Sequence, residues 1–254
     1  MRQATRSQAR TAFTLVELLV VLAIMGVLFS VLLPAMSACR RAARNLKCIS
    51  QFRSVSFEFR AFADDFHLRE GEDSAAFGPQ SFELSNFQEQ LYRVGPYWDL
   101  PDTKWAAYDA TREPLMCPEG PRRLERRAEV QFAGGSVFPQ HNVSVAFNMR
   151  LHRATEVMAG RPVLVPQLVT SRILEYPDVP LVIDVDGAAA AAAFQLPYYT
   201  APPTGQSDNF KSGRYWFPAY RHGGSLNIGL VGGSVQSSRR ADDEAGLRWT
   251  YQPQ

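Results

Sequence analysis

Cysteine is scarce: Cys39, Cys48 and Cys117 are the three among 254 residues. So few exclude a disulfide framework, and their spacing fits no paired-cysteine zinc pattern. Histidine is as thin, with His67, His141, His152 and His222 scattered and no H-x-x-x-H or H-E-x-x-H among them. A G-x-S-x-G elbow is also missing, which removes the sequence mark of a hydrolase nucleophile. Gly134-Gly135 and Gly232-Gly233, each followed by Ser-Val, read as hairpin turns rather than phosphate loops. Charge of one sign is lacking too, with 27 Lys+Arg against 25 Asp+Glu and a net charge of +2. That excludes an acidic disordered tail, and no basic patch with interleaved aromatics points to nucleic acid. With 17 Gly and 17 Pro the chain is loop-rich but not collagen-like. Asp184 and Asp186 lie one residue apart and would share a strand face; the expected reading is a strand end entering a turn at Gly187. No catalytic constellation, cofactor or metal is expected from these patterns.

What is present begins at the N-terminus. Residues 1–12 carry Arg2, Arg6 and Arg10 and no acid, and Phe13 to Leu33 then runs nearly all apolar. At about 1.5 Å per residue that stretch spans roughly 30 Å, a bilayer's hydrocarbon thickness. Mean hydropathy over the whole chain is −0.19, so the plan is one anchor and one large water-facing domain. Glu17 interrupts the apolar run and costs about 1–3 kcal/mol, depending on depth, unless it is paired. Two readings stay open: hydration near the interface, or a cation met when the helix bundles with copies of itself. The nearest such cation is the amine of a new N-terminus cut just before the helix. Arg40, Arg41, Arg44 and Lys47 follow the anchor, so charge does not orient it.

The run Arg10-Thr11-Ala12-Phe13-Thr14-Leu15-Val16-Glu17-Leu18-Leu19-Val20-Val21 resembles the prepilin signal of type IV pilins and type II secretion pseudopilins. The resemblance implies cleavage between Ala12 and Phe13 by a prepilin peptidase, then N-methylation of Phe13. It also implies a cytoplasmic leader, a single pass through a bacterial inner membrane and a periplasmic or extracellular C-terminal domain. Ala12 stands where the family more commonly has Gly. Gly26 and Pro34 fall where the family often softens the helix, and Pro34 removes an N–H and would kink or open it. A competing signal is Met36-Ser37-Ala38-Cys39, which approximates a lipobox with Cys39 as the lipidated residue.

Past Pro34 no turn signal appears until about Asp64. Cys48, Phe52, Val55, Phe59, Phe62 and Phe66 recur at 4-3-4-3-4 spacing, an apolar helical stripe expected to face a core. Cys39 and Cys48 lie roughly 13 Å apart along such a helix, on opposite sides, and cannot bridge. Cys48, on the stripe, is within reach of Cys117, as a disulfide in an oxidising periplasm or as two reduced thiols. Cys39 would face away.

Beyond residue 66 short segments are bounded by Gly and Pro. Residues 64–86 read as a loop, 87–92 as a short helix, 97–108 as an aromatic-rich segment and 116–119 as a turn. The spacing predicts strands at 143–148, 181–185, 226–231 and 234–237. Alanines 188–193 read as helix or loop, and 198–212 as a mobile surface loop. The C-terminal part resembles a bacterial pilin-like subgroup with a signature of His, nine residues, then Asp-Gly. Here it begins at His222 and ends on Gly232-Gly233, with Gly232 in place of Asp. Asn45 to Ser50, Cys117-Pro118 and Leu181-Val182-Ile183-Asp184 match further elements in the same order. Gly232-Gly233 is expected to form a type I′ turn, with positive φ at both residues. No oxygen-rich calcium loop is carried over.

The expected fold is α+β and pilin-like: a long N-terminal helix packed on a small antiparallel sheet with loop-rich insertions. Its parts are a leader (1–12), a transmembrane and assembly helix (13–36), an amphipathic continuation (37–66) and a head (67–254). The resemblance implies a non-enzymatic filament subunit whose partners are prepilin peptidase, other subunits and an inner-membrane assembly platform. The alternative is a membrane-tethered binding protein of the envelope that does not polymerise.

Overall fold

The computed structural model describes residues 15–77, 81–92, 116–121, 143–203, 208–240 and 247–251. They belong to two units, Met1–Ala43 and Arg44–Gln254. In the first, helix α1 (Leu15–Phe77) begins, and its apolar side chains through Leu33 are exposed on all sides. It is long and apolar enough to cross a membrane.

In the second unit α1 turns amphipathic. Cys48, Phe52, Val55, Phe59 and Phe62 are buried, as the periodicity predicts, while Phe57 between them is exposed. The expected loop after Asp64 is instead a continuation of α1 to Phe77. Leu68, Arg69, Glu70, Glu72, Ala75 and Ala76 are good helix formers and outweigh the lone Gly71, a cost of about 1 kcal/mol. Strand β1 (Ser81–Glu83) and helix α2 (Leu84–Tyr92) follow, so the described residues of 64–86 are helix or strand.

Among the described residues the main sheet has five strands: β2 (Val145–Asn148), β6 (Pro180–Asp184), β7 (Tyr199–Thr200), β8 (Leu226–Leu230) and β9 (Val235–Ser238). Their order is β7-β2-β6-β8-β9, antiparallel throughout except that β7 runs parallel to β2. The structure is thus α+β with a long apolar N-terminal helix. Strands β2, β6 and β8 are buried along their whole length, which is why they read as short continuous apolar runs.

Gly229 on β8 sets how closely α1 approaches. A Cβ there would lie 2.7 Å from Val182 Cγ2 and 3.1 Å from Phe52 Cβ. Phe59 and Phe62 meet Phe82 and Phe87 edge to face at 5.1–6.1 Å, and Phe87 meets Phe147 at 6.1 Å. Each fully buried ring contributes roughly 1.5–3 kcal/mol of apolar burial. Asn227 and Gly229 face α1, so the alternating Leu226, Ile228 and Leu230 face away. They form a second cluster with Ile183 and Trp249.

Smaller elements complete this unit. Helix α3 (Met149–His152) leads into a hairpin of β3 (Arg153–Met158) and β4 (Arg161–Pro166), which no local pattern announces. Its tight turn places Ala159 and Gly160 at φ 51° and 75°. Strand β5 (Leu168–Thr170) pairs with β1. The alanine run is helix α4 (Gly187–Ala192), capped by Asp186 Oδ1 accepting from Ala189 N at 3.0 Å. Tyr198 and Tyr199, expected in a mobile loop, are buried, and helix α5 (Asp208–Lys211) lies in the same stretch. Burial of two large aromatic side chains fixes the start of this stretch.

Candidate functional site

Glu17 occupies the first turn of α1, where a carboxylate is favourable beside the helix N-terminus. The expected cleavage pair Ala12–Phe13 lies outside the described residues. Gly26 has open space around it, and α1 runs on through Pro34. The ring deprives Ser30 of its helical donor. Ser30 Oγ donates to Val27 O at 2.7 Å and Ser37 Oγ to Pro34 O at 2.8 Å, so both hydroxyls are satisfied within the helix.

The head unit holds a second group of chemistry-bearing residues. Cys48 comes from the buried stripe of α1, and Cys117 from a turn closed by Gly120 N donating to Cys117 O at 2.8 Å. Asp184 is the last residue of β6, and His222 sits in the tight turn before β8. All four are buried, and one ligand atom from each lies within 4.8 Å of the others. Cys48 Sγ donates to Asp184 Oδ1 at 3.6 Å. His222 Nε2 lies 3.3 Å from Cys117 Sγ and 3.2 Å from Asp184 Oδ2. On its far side His222 Nδ1 is 3.1 Å from Glu119 Oε2, an ion-pair contact without hydrogen-bond geometry.

Surrounding bonds hold these groups in place. Asn227 N donates to Asp184 Oδ2 at 2.8 Å, and Asn227 Nδ2 donates to Asn45 Oδ1 on α1 at 2.9 Å. Cys117 N donates to Ser144 Oγ at 2.5 Å. A Cβ on Gly120 would lie 2.7 Å from Ser144 Cβ, so the turn needs glycine to sit this close. Gly223 and Gly224 supply positive φ of 65° and 84° beside His222.

Electrostatics follow from this crowding. The hydrogen bond with Cys48 lowers the Cys117 thiol most; burial opposes it, His222 adds to it, and the result is about 6. The same bond, then burial and the Asp184 charge, pushes Cys48 up. Burial disfavours the His222 cation, but hydrogen bonds and charge from Asp184 and Cys117 outweigh it and raise the ring to about 10. The thiol–imidazole–carboxylate order resembles a nucleophilic triad. Cys117 is only 2% exposed, however, and no face is left for a substrate. What the arrangement can do is hold a cation or tie segments together.

Cys48 and Cys117, expected as a disulfide or as two thiols, are brought together and are free thiols here, while Cys39 is exposed and apart. Asp186, the other half of the possible carboxylate pair, serves as the α4 cap. His152 stacks on Tyr199 with ring centroids 4.0 Å apart, away from any other titratable cluster. His67 and His141 fall outside the residues whose side chains are described. The expectation of a type I′ turn at Gly232-Gly233 is corrected: only Gly233 has positive φ, at 88°. The loop is closed by Gly233 N donating to Leu230 O at 2.9 Å and Leu230 N donating to Ser234 O at 2.9 Å. This is a three-residue connection ending on a left-handed glycine. Gly232 is needed for a different reason. Its Cβ would lie 2.7 Å from Pro177 Cβ, and its N–H donates to Pro177 O at 3.0 Å. An aspartate there has no room unless Pro177 moves.

Residues 8–33 match a family model described as the prokaryotic N-terminal methylation motif. No curated protein and no solved structure matches the chain. The motif marks the N-terminus as a type IV pilin-like prepilin signal, the form that prepilin peptidase processes. Its family is structural, and nothing in the comparisons names an enzyme. Signal and exposed apolar helix together indicate a membrane-anchored protein.

Proposed function

We propose that this chain is a structural subunit of a type II secretion pseudopilus or type IV pilus-like filament. One observation carries the reading: a methylation motif over residues 8–33 covers an apolar stretch of α1, exposed all round through Leu33, whose single acid is Glu17. Residues 1–12 serve as a cytoplasmic leader, 13–36 as the anchor and assembly helix, 37–66 as its amphipathic continuation and 67–254 as a periplasmic or extracellular head. Cleavage after Ala12 frees the Phe13 amine, four residues from Glu17. As the helix leaves the inner membrane through an assembly platform, Glu17 takes the Phe13 amine of a neighbouring subunit. In a low-dielectric bundle such a pair is far stronger than in water, and it sets the axial register. Gly26 and Pro34 give the helix the local slack to repack in the bundle.

Photo-crosslinking in native membranes, with a photoreactive residue placed at single positions along residues 15–33 and the native cysteines kept, tests this. A filament subunit gives ladders of oligomers through the helix. A tether that does not polymerise, the second reading, gives monomer alone, with the head left to bind an envelope ligand.

A further inference from the structure

The buried Cys48, Cys117, Asp184 and His222 group is not used by the anchor, by processing or by filament contacts. We propose that these four residues form a structural zinc site that fastens helix α1 to the sheet of the head. The donor set is two sulfurs, one imidazole nitrogen and one carboxylate oxygen, which suits zinc and not the oxygen-seeking calcium or magnesium. Tetrahedral zinc with those donors has ligand–ligand edges of about 3.3–3.8 Å. His222 Nε2 lies 3.2 Å from Asp184 Oδ2 and 3.3 Å from Cys117 Sγ, which approximate two of those edges, and Cys48 Sγ lies 3.6 Å from the other oxygen of the same carboxylate.

Two features beyond the ligands support the assignment. His222 turns Nε2 inward while Nδ1 lies 3.1 Å from a Glu119 carboxylate oxygen, which places a carboxylate where the outer-shell partner of a metal-bound histidine stands. Asp184 Oδ2 accepts from Asn227 N at 2.8 Å, which fixes that carboxylate as well. Burial of all four residues leaves no open coordination position, as in sites that hold structure rather than perform chemistry. The ligands come from four distant segments: α1, the Cys117 turn, the end of β6 and the turn before β8. Metal binding therefore closes three long loops at once. It also neutralises a pocket in which one imidazole faces Asp184, Glu119 and two sulfurs. On binding, the protons held among the two thiols and the imidazole go to solvent, leaving two thiolates and a neutral imidazole as ligands.

The test uses the full chain in detergent, purified under reducing, chelator-free conditions, with metal content read by mass spectrometry. Equimolar zinc is expected, retained in Cys39→Ala and lost in Cys48→Ala and Cys117→Ala. Glu119→Gln should weaken zinc affinity by about 10–100-fold while leaving the ligand set intact. Should the ligand variants fail to fold, the unaltered chain still decides. Stripped of zinc and given Co²⁺, it should show the visible d–d and thiolate charge-transfer bands of a tetrahedral centre. A metal-free chain whose buried thiols react with maleimide on mild unfolding and which gives no cobalt spectrum overturns the proposal. A Cys48–Cys117 disulfide in the native chain, or iron or copper in place of zinc, overturns it equally.

Discussion

Helix α1 is two helices in character. From Leu15 to Leu33 every large apolar side chain is exposed, Leu22 and Leu28 at 60% and 57%, whereas Phe52 and Phe59 further along are fully buried. The first stretch is apolar all round and suits an apolar solvent or a bundle of its own kind; the second has one apolar stripe and suits a core. Each stretch carries a polar group where it is costly: Glu17 in the first, and Cys48, with its partners, in the second. The difference teaches that one continuous helix can answer to two environments through patterning alone. In the proposed filament Glu17 meets the amine of another copy, whereas Cys48 meets Asp184 within its own chain.

The largest break in that comparison is expected from Glu17→Leu. Assembly should be abolished, seen as loss of crosslinked ladders, while cleavage of the leader and melting of the head stay unchanged. A ladder of normal intensity would remove Glu17 from the account. Next is a pair of substitutions on the same helix. Phe59→Ala should cost the head about 3–5 kcal/mol in denaturant unfolding. Leu22→Ala should leave it within about 0.5 kcal/mol. Equal losses would erase the distinction between the two stretches.

A smaller effect belongs to pH. Burial, with a lesser push from Arg153, lowers His152 from 6.5 to about 4. The unfolded state then binds a proton first, so head stability should fall as pH drops from about 6.5 to 4. That loss reaches up to about 3 kcal/mol below the lower value. In His152→Phe this part of the acid slope should vanish, measured by denaturant midpoints between those pH values. The smallest effect is at the α4 cap, where Asp186→Ala should cost about 1 kcal/mol, read from the same midpoints.

Much of the fold was legible because its signals are local. The stripe from Cys48 to Phe62 declared a helix with one buried face, and the apolar runs of β2, β6 and β8 declared buried strands. The β3–β4 hairpin was not legible. Its turn is Ala159-Gly160 rather than Asn-Gly or Asp-Gly, and Pro162 and Pro166 argue against a strand by local preference. Pairing between two strands overrode both signals. Gly232-Gly233 failed in the opposite way, since a glycine pair suggested two positive φ angles. One of the glycines is there only because Pro177 presses against it. The buried cluster was half legible: Cys48, Cys117 and His222 each drew notice, and Asp184 appeared as a strand end. Spacing rules detect ligands that share a short motif, and no local pattern joins residues 48, 117, 184 and 222.

The proposed assembly depends on a proteolytic cut that turns a leader into a charged helix end. Mass spectrometry of the N-terminal peptide of the protein recovered from its native membrane reads that directly. The expected peptide begins at N-methylated Phe13. A chain still beginning at residue 1, or one beginning at a diacylglyceryl Cys39, would contradict it.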